Sequence, residues 1–261
     1  MQRTRRLRLF AIFAPSITLV KTWIKYILQK LFGFRTYLYV FAKFKIRTLH
    51  RDQKENDFFH FLGMLKDGEG IVLDIGANLG VMTVHLAQKL PNSTIHAFEP
   101  MPDNRAVFKK VIAKYGLKNV VFHEIALGDS DGTVKMILPE KDGAKMQGLS
   151  HVKHDSITEW NEGKEFEVPI KPLDALFDEE KIQGIKMDVE NFEYFVLKGG
   201  RNLLAKHKPI IYTELWENEN RQKCFELLKE LGYATFAMKG DQLVPYNCDD
   251  HDVQNFIFTA N

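Results

Sequence analysis

The stretch Val72-Leu73-Asp74-Ile75-Gly76-Ala77-Asn78-Leu79-Gly80 decides the fold class. An apolar run that stops at a carboxylate and is followed by two glycines reads as a buried strand, a tight turn and the start of a helix. Glycines at such a turn let backbone approach a ligand closely. A second strand, Thr94 to Phe98, ends at Glu99. A carboxylate there can accept both hydroxyls of a ribose. Together these features imply a nucleoside-containing cofactor at the carboxyl edge of a parallel sheet, where open α/β sheets bind ligands.

The dinucleotide fingerprint G-x-G-x-x-G needs its middle glycine so that a pyrophosphate can reach the backbone. This chain has Asn78 in that place. S-adenosylmethionine carries no phosphate, so Asn78 is compatible with it. Asp74 would repel a pyrophosphate but suits the cationic amino group of a methionine moiety. The expected cofactor is therefore S-adenosylmethionine, with Asp74, Gly76, Ala77, Asn78 and Gly80 around its methionine end. Glu99 would hold its ribose, and Ala126 would lie near its adenine. The plainer alternative is a tight strand-helix turn without a ligand, and the position of Glu99 argues against it.

The cysteines, Cys224 and Cys248, are far apart and show no C-x-x-C spacing, which points to a reducing compartment rather than a zinc site or disulfide scaffold. The formal net charge of +2 hides an asymmetry. Residues 1–51 hold twelve Lys/Arg and no Asp/Glu, which leaves 52–261 at −10. The acidic body argues against a nucleic-acid-binding catalytic domain. The expected organisation is a basic, apolar helical extension over 1–51 and one catalytic domain over 52–261.

Within the extension, the apolar run Leu9–Val20 contains Pro15 and is shorter than the roughly 20 residues a span requires. It lacks a convincing signal-peptide cleavage site. Ile17, Val20, Ile24, Ile27, Leu28 and Leu31 then recur at helical spacing, with Lys21, Lys25 and Gln29 opposite and a train of aromatics after them. A basic amphipathic helix with aromatics reads as one lying in a membrane interface. The alternative is that its apolar face packs on the domain or on a partner. The expectation is a cytoplasmic protein with peripheral contact to the inner face of a membrane through residues 1–50.

Beyond a helix over Asp52–Lys66, strands and helices alternate. Strand Ile71–Ile75 leads to helix Leu79–Leu90, Thr94–Phe98 to helix Asp103–Tyr115, and Asn119–Ile125 to the turn at Gly128–Gly132. Thr133–Leu138 and Phe166–Ile170 read as strands around a long loop, Pro139–Lys164. Strand Gly184–Val189 leads to one helix, Glu193–Lys206. Strand Pro209–Leu215, helix Asn218–Leu231 and strands Tyr233–Met238 and Asp252–Thr259 follow. Such alternation predicts a mostly parallel sheet with helices on both faces.

Four segments, in order, resemble the FkbM-type family of S-adenosylmethionine-dependent methyltransferases. They are Leu73–Gly80 with Thr83 after it, Ala97-Phe98-Glu99-Pro100, Pro172-Leu173-Asp174-Ala175-Leu176, and Ile185-Lys186-Met187-Asp188-Val189-Glu190-Asn191-Phe192-Glu193. The resemblance covers about residues 68 to 259. It implies a class I methyltransferase Rossmann-like fold, a seven-stranded mostly parallel sheet with its last strand antiparallel. It also implies O-methylation, often of sugar or polyketide hydroxyls. Asn191 stands where the family usually has glycine, and asparagine tolerates a left-handed backbone better than most residues.

A hydroxyl acceptor must lose its proton, so carboxylates at strand ends are the candidate bases. Asp188 ends the fourth core strand. Glu190, two positions on, would share its side on an extended chain, and Glu214 ends the fifth strand. Glu193 suits helix capping better than catalysis. His151 and His154 lie in the long loop, where a solvated role is the commoner one. A carboxylate cluster can hold a divalent cation, but no histidine-rich set accompanies this one and no metal is assigned. The leading expectation is methyl transfer to a hydroxyl, of a sugar in a glycan or glycolipid. A small-metabolite or protein acceptor, and a non-catalytic membrane-bound scaffold that binds the cofactor, are the alternatives.

Overall fold

Strand β1 (Ile71–Ile75) is an interior strand of the chain's main sheet, and its alternation sets the layers. Leu73 and Ile75 join one apolar cluster, and Val72 joins another on the opposite face. The computed structural model describes residues 17–157, 160–247 and 253–260. The predicted apolar run Leu9–Val20 lies mostly outside them, as does Cys248.

Two N-terminal helices, α1 (Ile17–Phe32) and α2 (Phe34–Thr48), are separated by Gly33 at φ 76°. Two short 3-10 turns, Leu49–Arg51 and Gln53–Glu55, lead to α3 (Asn56–Met64), which is shorter than the predicted Asp52–Lys66. After β1 come α4 (Val81–Lys89), β2 (Ile95–Phe98), α5 (Pro102–Tyr115) and β3 (Val120–His123). Proline opens α5, where its missing N–H costs nothing, and Gly116 closes it at φ 64°.

A second sheet follows: β4 (Ala126–Leu127), β5 (Gly132–Lys141), β6 (Ala144–Lys145), β7 (His151–Val152) and β8 (Gly163–Lys171). Its order is β4-β8-β5-β6, with β7 also pairing β5. The predicted loop Pro139–Lys164 thus carries part of this sheet. The predicted strand ends at Leu138, before the polar, Gly-containing stretch. The structure continues β5 to Lys141 by pairing it with β8 and β6.

The chain then returns to the main sheet with β9 (Ile182–Met187), α6 (Glu193–Gly199), α7 (Arg201–His207), β10 (Ile210–Glu214) and α8 (Glu219–Glu230). The predicted single helix Glu193–Lys206 is two helices, interrupted at Gly200. Asn218 caps α8 by accepting hydrogen bonds from the Asn220 and Arg221 amides. Strands β11 (Tyr233–Lys239), β12 (Gln242–Pro245) and β13 (Asn255–Ala260) end the described chain.

The main sheet has eight strands in the order β12-β11-β13-β10-β9-β1-β2-β3. Strand β13 runs antiparallel between β10 and β11, as the resemblance implied for the last strand. The count exceeds the expected seven because β12 pairs back on β11 as a hairpin. One face of the sheet packs on α6, α7 and α8, the other on α3 and α4. The buried face of α2, with Leu38, Ala42 and Ile46, packs on α4 and α5.

Candidate active site

The carboxyl ends of β1, β2 and β9 meet at one edge of the sheet. Gly76, just past β1, sits at φ 72°, and a Cβ there would lie 1.8 Å from the Asp188 carbonyl oxygen. The two turns are therefore in backbone contact, which only glycine permits. Asn78 follows at φ 53°, and Gly80 begins α4 at φ 82°.

Two cavities open here. The inner one, about 580 Å³ of space continuous with solvent, lies between the sheet edge and strands β5 and β7 of the second sheet. Gly76, Asn78, Glu99, Ala126, Asp188 and Glu190 all line it, with apolar walls from Phe98, Met101, Leu127 and Val152. The outer cavity lies between α2, the start of α4 and the β9 edge, and it is lined by Phe41, Lys45, Glu55, Ala77, Met82, Lys186 and Asp188. A polar extension of the same edge adds Tyr212, Glu214 and Asn255. Gln147, from the turn between β6 and β7, donates from Nε2 to Asn78 Oδ1 at 2.5 Å, and both residues border the inner and outer cavities.

Glu99 is buried and held by the sequence around it. Its Oε2 accepts from the Asn78 amide at 2.9 Å, and its Oε1 from the Met101 amide at 2.7 Å. Burial raises its pKa to about 7, against those hydrogen bonds. A buried carboxylate with residual accepting capacity suits a diol, and the apolar plates nearby suit a flat base. The residues present therefore fit an adenosine-bearing ligand.

Asp74 is corrected. It shares the face of Val72, so its side chain points under α4 and not into either cavity. There its Oδ2 accepts from Thr83 Oγ1 at 2.5 Å, and its Oδ1 lies 3.2 Å from Lys186 Nζ. Lys186 also donates to the Gly76 carbonyl at 2.9 Å. Burial lowers the Lys186 pKa, but the neighbouring Asp74 and Asp188 carboxylates more than offset this, so the net shift is upward and it stays an ammonium.

Glu190 does not stand on an extended chain. Residues 188–191 form a turn, with Glu190 at φ 54° and Asn191 at φ 73°. Asn191 takes the left-handed conformation that a glycine would take. The turn is held by Glu193, whose Oε1 accepts from the Val189 and Asn191 amides at 3.0 and 3.3 Å. Both Asp188 and Glu190 nevertheless border the inner cavity. Burial, then Asp188, pushes the Glu190 pKa well up. Burial and Asp188 likewise raise Glu214 to about 7. Glu214 borders the polar extension and not the inner cavity.

Of the remaining expectations, Ala77 borders the outer cavity and Gly80 shapes the turn without lining either. His151 is buried on Leu149 O and Asn161, and His154 is exposed and packs on Phe195. Lys186, Glu55 and Gln147 were missed by sequence reasoning. Lys186 alone left a signal, a charge between the apolar Ile185 and Met187 within a strand.

Comparison with known proteins places this edge in context. The sequence pattern described as the methyltransferase FkbM domain matches residues 74–238. The chain is 26% identical over 230 residues to Methyltransferase 1 of Beauveria bassiana, covering 81% of this chain and 90% of that protein. It is 29% identical over 171 residues to the 2-O-methyltransferase NoeI of Sinorhizobium fredii, covering 60% of this chain and 68% of that protein. Its fold resembles the crystal structure of methyltransferase FkbM from Methylobacillus flagellatus, with TM-score 0.51 and 15% identity, covering 93% of this chain and 60% of that longer one. The chain belongs to the FkbM family of S-adenosylmethionine-dependent methyltransferases.

Proposed function

We propose that the chain transfers a methyl group from S-adenosylmethionine to a hydroxyl of a sugar in a glycan or glycolipid. The observation that carries this reading is the position of Asp188, which borders the inner cavity, the outer cavity and its polar extension. In this reading the inner cavity holds the cofactor. Glu99 accepts the ribose hydroxyls, Ala126 and its apolar neighbours flank the adenine, and Gly76, Asn78 and Glu190 surround the methionine end. Asp74 acts one step removed, by fixing Thr83 and Lys186.

The bound donor supplies a sulfonium-activated methyl. The residues of the chain align the acceptor and remove its proton. Alignment of reacting groups supplies about 7–11 kcal/mol of barrier reduction. Asp188, at the junction of the cavities, takes the proton of the acceptor hydroxyl, which contributes about 10²–10⁴-fold. Glu214 holds a neighbouring hydroxyl, and the uncharged Glu190 donates a hydrogen bond. A sugar acceptor is supported by the carboxylates and amides along the outer wall, Glu55, Glu214, Gln254 and Asn255 among them. The relative from Sinorhizobium fredii is a 2-O-methyltransferase, which supports a hydroxyl as the acceptor group.

Incubation with methyl-labelled S-adenosylmethionine and separated oligosaccharide, glycolipid and protein fractions tests the reading. Label is expected in a sugar fraction. Asp188→Asn is expected to cut transfer about 10²–10⁴-fold while cofactor affinity holds. Label confined to protein, or undiminished transfer by Asp188→Asn, would contradict it.

A further inference from the structure

We infer that the outer face of α1 and α2 docks on an anionic lipid bilayer, and that the outer cavity opens at that surface. The inference deepens the reading above, on which it rests, by saying where the acceptor is met. Among the described residues, seven of the eight large hydrophobic side chains that stand exposed lie on these two helices. Helix α1 presents Trp23, Ile24, Leu31 and Phe32, and α2 presents Val40, Phe41 and Phe44. The opposite face of α2 is spent on α4 and α5, so the exposed side chains of α2 form a second apolar face, which none of the described residues covers. Soluble surfaces rarely concentrate apolar side chains in this way without a partner.

Charge selects the partner. Residues 1–51 hold twelve Lys/Arg and no acid. Lys25, Lys30, Lys43 and Arg47 make no ion pair among the described residues. Pairing this face with a second copy would set one basic segment against another, which like-charge repulsion opposes. An anionic bilayer satisfies both features: aromatic side chains enter the headgroup boundary while lysines and arginines meet lipid phosphates. No helix among the described residues is long and apolar enough to cross a membrane, so the contact is peripheral.

The placement bears on function through Phe41 and Lys45. They lie one turn apart on α2 and both line the outer cavity, while Phe44 beside them is exposed. A bilayer on this face therefore brings lipid headgroups to the mouth of the cavity that reaches Asp188, and the acceptor hydroxyl belongs to a lipid headgroup.

Flotation of the full chain with phosphatidylcholine vesicles, with and without phosphatidylserine, tests the inference. Binding is expected only with phosphatidylserine and is expected to weaken as salt rises. Trp23→Ser with Phe44→Ser is expected to lower partitioning more than tenfold. Lys25→Ala and Lys43→Ala are expected to lower it about fivefold each. Absence of flotation, equal binding to neutral vesicles, or a dimer in sedimentation that Trp23→Ser with Phe44→Ser dissolves would overturn it. Titration of each sample with S-adenosylmethionine separates the two readings. Retained cofactor binding without flotation removes the bilayer and leaves the proposed function standing. Loss of cofactor binding in the unaltered chain counts against the proposed function instead.

Discussion

Asp74 and Lys186 are register partners on adjacent parallel strands, with Lys186 Nζ 3.2 Å from Asp74 Oδ1 and both side chains buried. The pair sits directly beneath the turn that forms the cavities, because Lys186 also holds the Gly76 carbonyl. Breaking a buried pair leaves one charge uncompensated, which costs far more than the pair contributes. Lys186→Met is therefore expected to destabilise the chain by about 3–5 kcal/mol in urea unfolding. Lys186→Met with Asp74→Leu is expected to recover most of that loss. A single variant that unfolds like the unaltered chain would show that the pair is solvated.

Gly76 and Gly116 separate close approach from backbone strain. Both have positive φ, but a Cβ at Gly76 meets Asp188 O while one at Gly116 meets nothing within 4 Å. Gly116→Ala is expected to cost about 1–2 kcal/mol and to leave cofactor affinity unchanged. Gly76→Ala is expected to cost more and to abolish cofactor binding, since the β1 and β9 turns must part. Thermal melts with cofactor titration check both. Equal effects at the two positions would contradict the contact.

Stability should depend on pH through the buried carboxylates. Glu99 and Glu214 are raised to about 7 and Glu193 to about 8, in each case by burial first. A carboxylate with a raised folded pKa binds more protons in the native state than in the unfolded chain. Its contribution to stability is complete below the unfolded value of about 4.3 and is lost as pH rises through about 7 to 8. Urea unfolding is therefore expected to give lower stability at pH 8 than at pH 6, with a shallower decline in Glu214→Gln. A rise in stability over that interval would contradict the burial of these groups.

What the sequence revealed follows from which forces act locally. The β1 strand, the glycines after it, Glu99 at the end of β2 and Asp188 at the end of β9 were legible, because strand periodicity and turn chemistry are local. The direction of Asp74 was legible too, since it alternates with Leu73 and Ile75, but its motif drew it toward the ligand. Its true partner, Lys186, lies over a hundred residues away and becomes visible only through strand register. The turn at Glu190 and Asn191 is imposed by Glu193 reaching back to two amides, which extended-chain reasoning does not capture. Pairing of β5 with β8, the break at Gly200 and the approach of Gln147 to Asn78 are likewise long-range. The sequence showed an apolar stripe over Ile17–Leu31 and a train of aromatics after it, but only the structure shows that Leu38, Ala42 and Ile46 of α2 pack on α4 and α5.

Calorimetric titration with S-adenosylmethionine, using NAD as control, tests the central claim most directly. The account expects one site of micromolar affinity for S-adenosylmethionine and none for NAD. Glu99→Gln, which removes the charge at the ribose position, is expected to weaken binding roughly tenfold or more. Absence of binding by the unaltered chain, or unchanged affinity in Glu99→Gln, would contradict the assignment of the inner cavity to the cofactor.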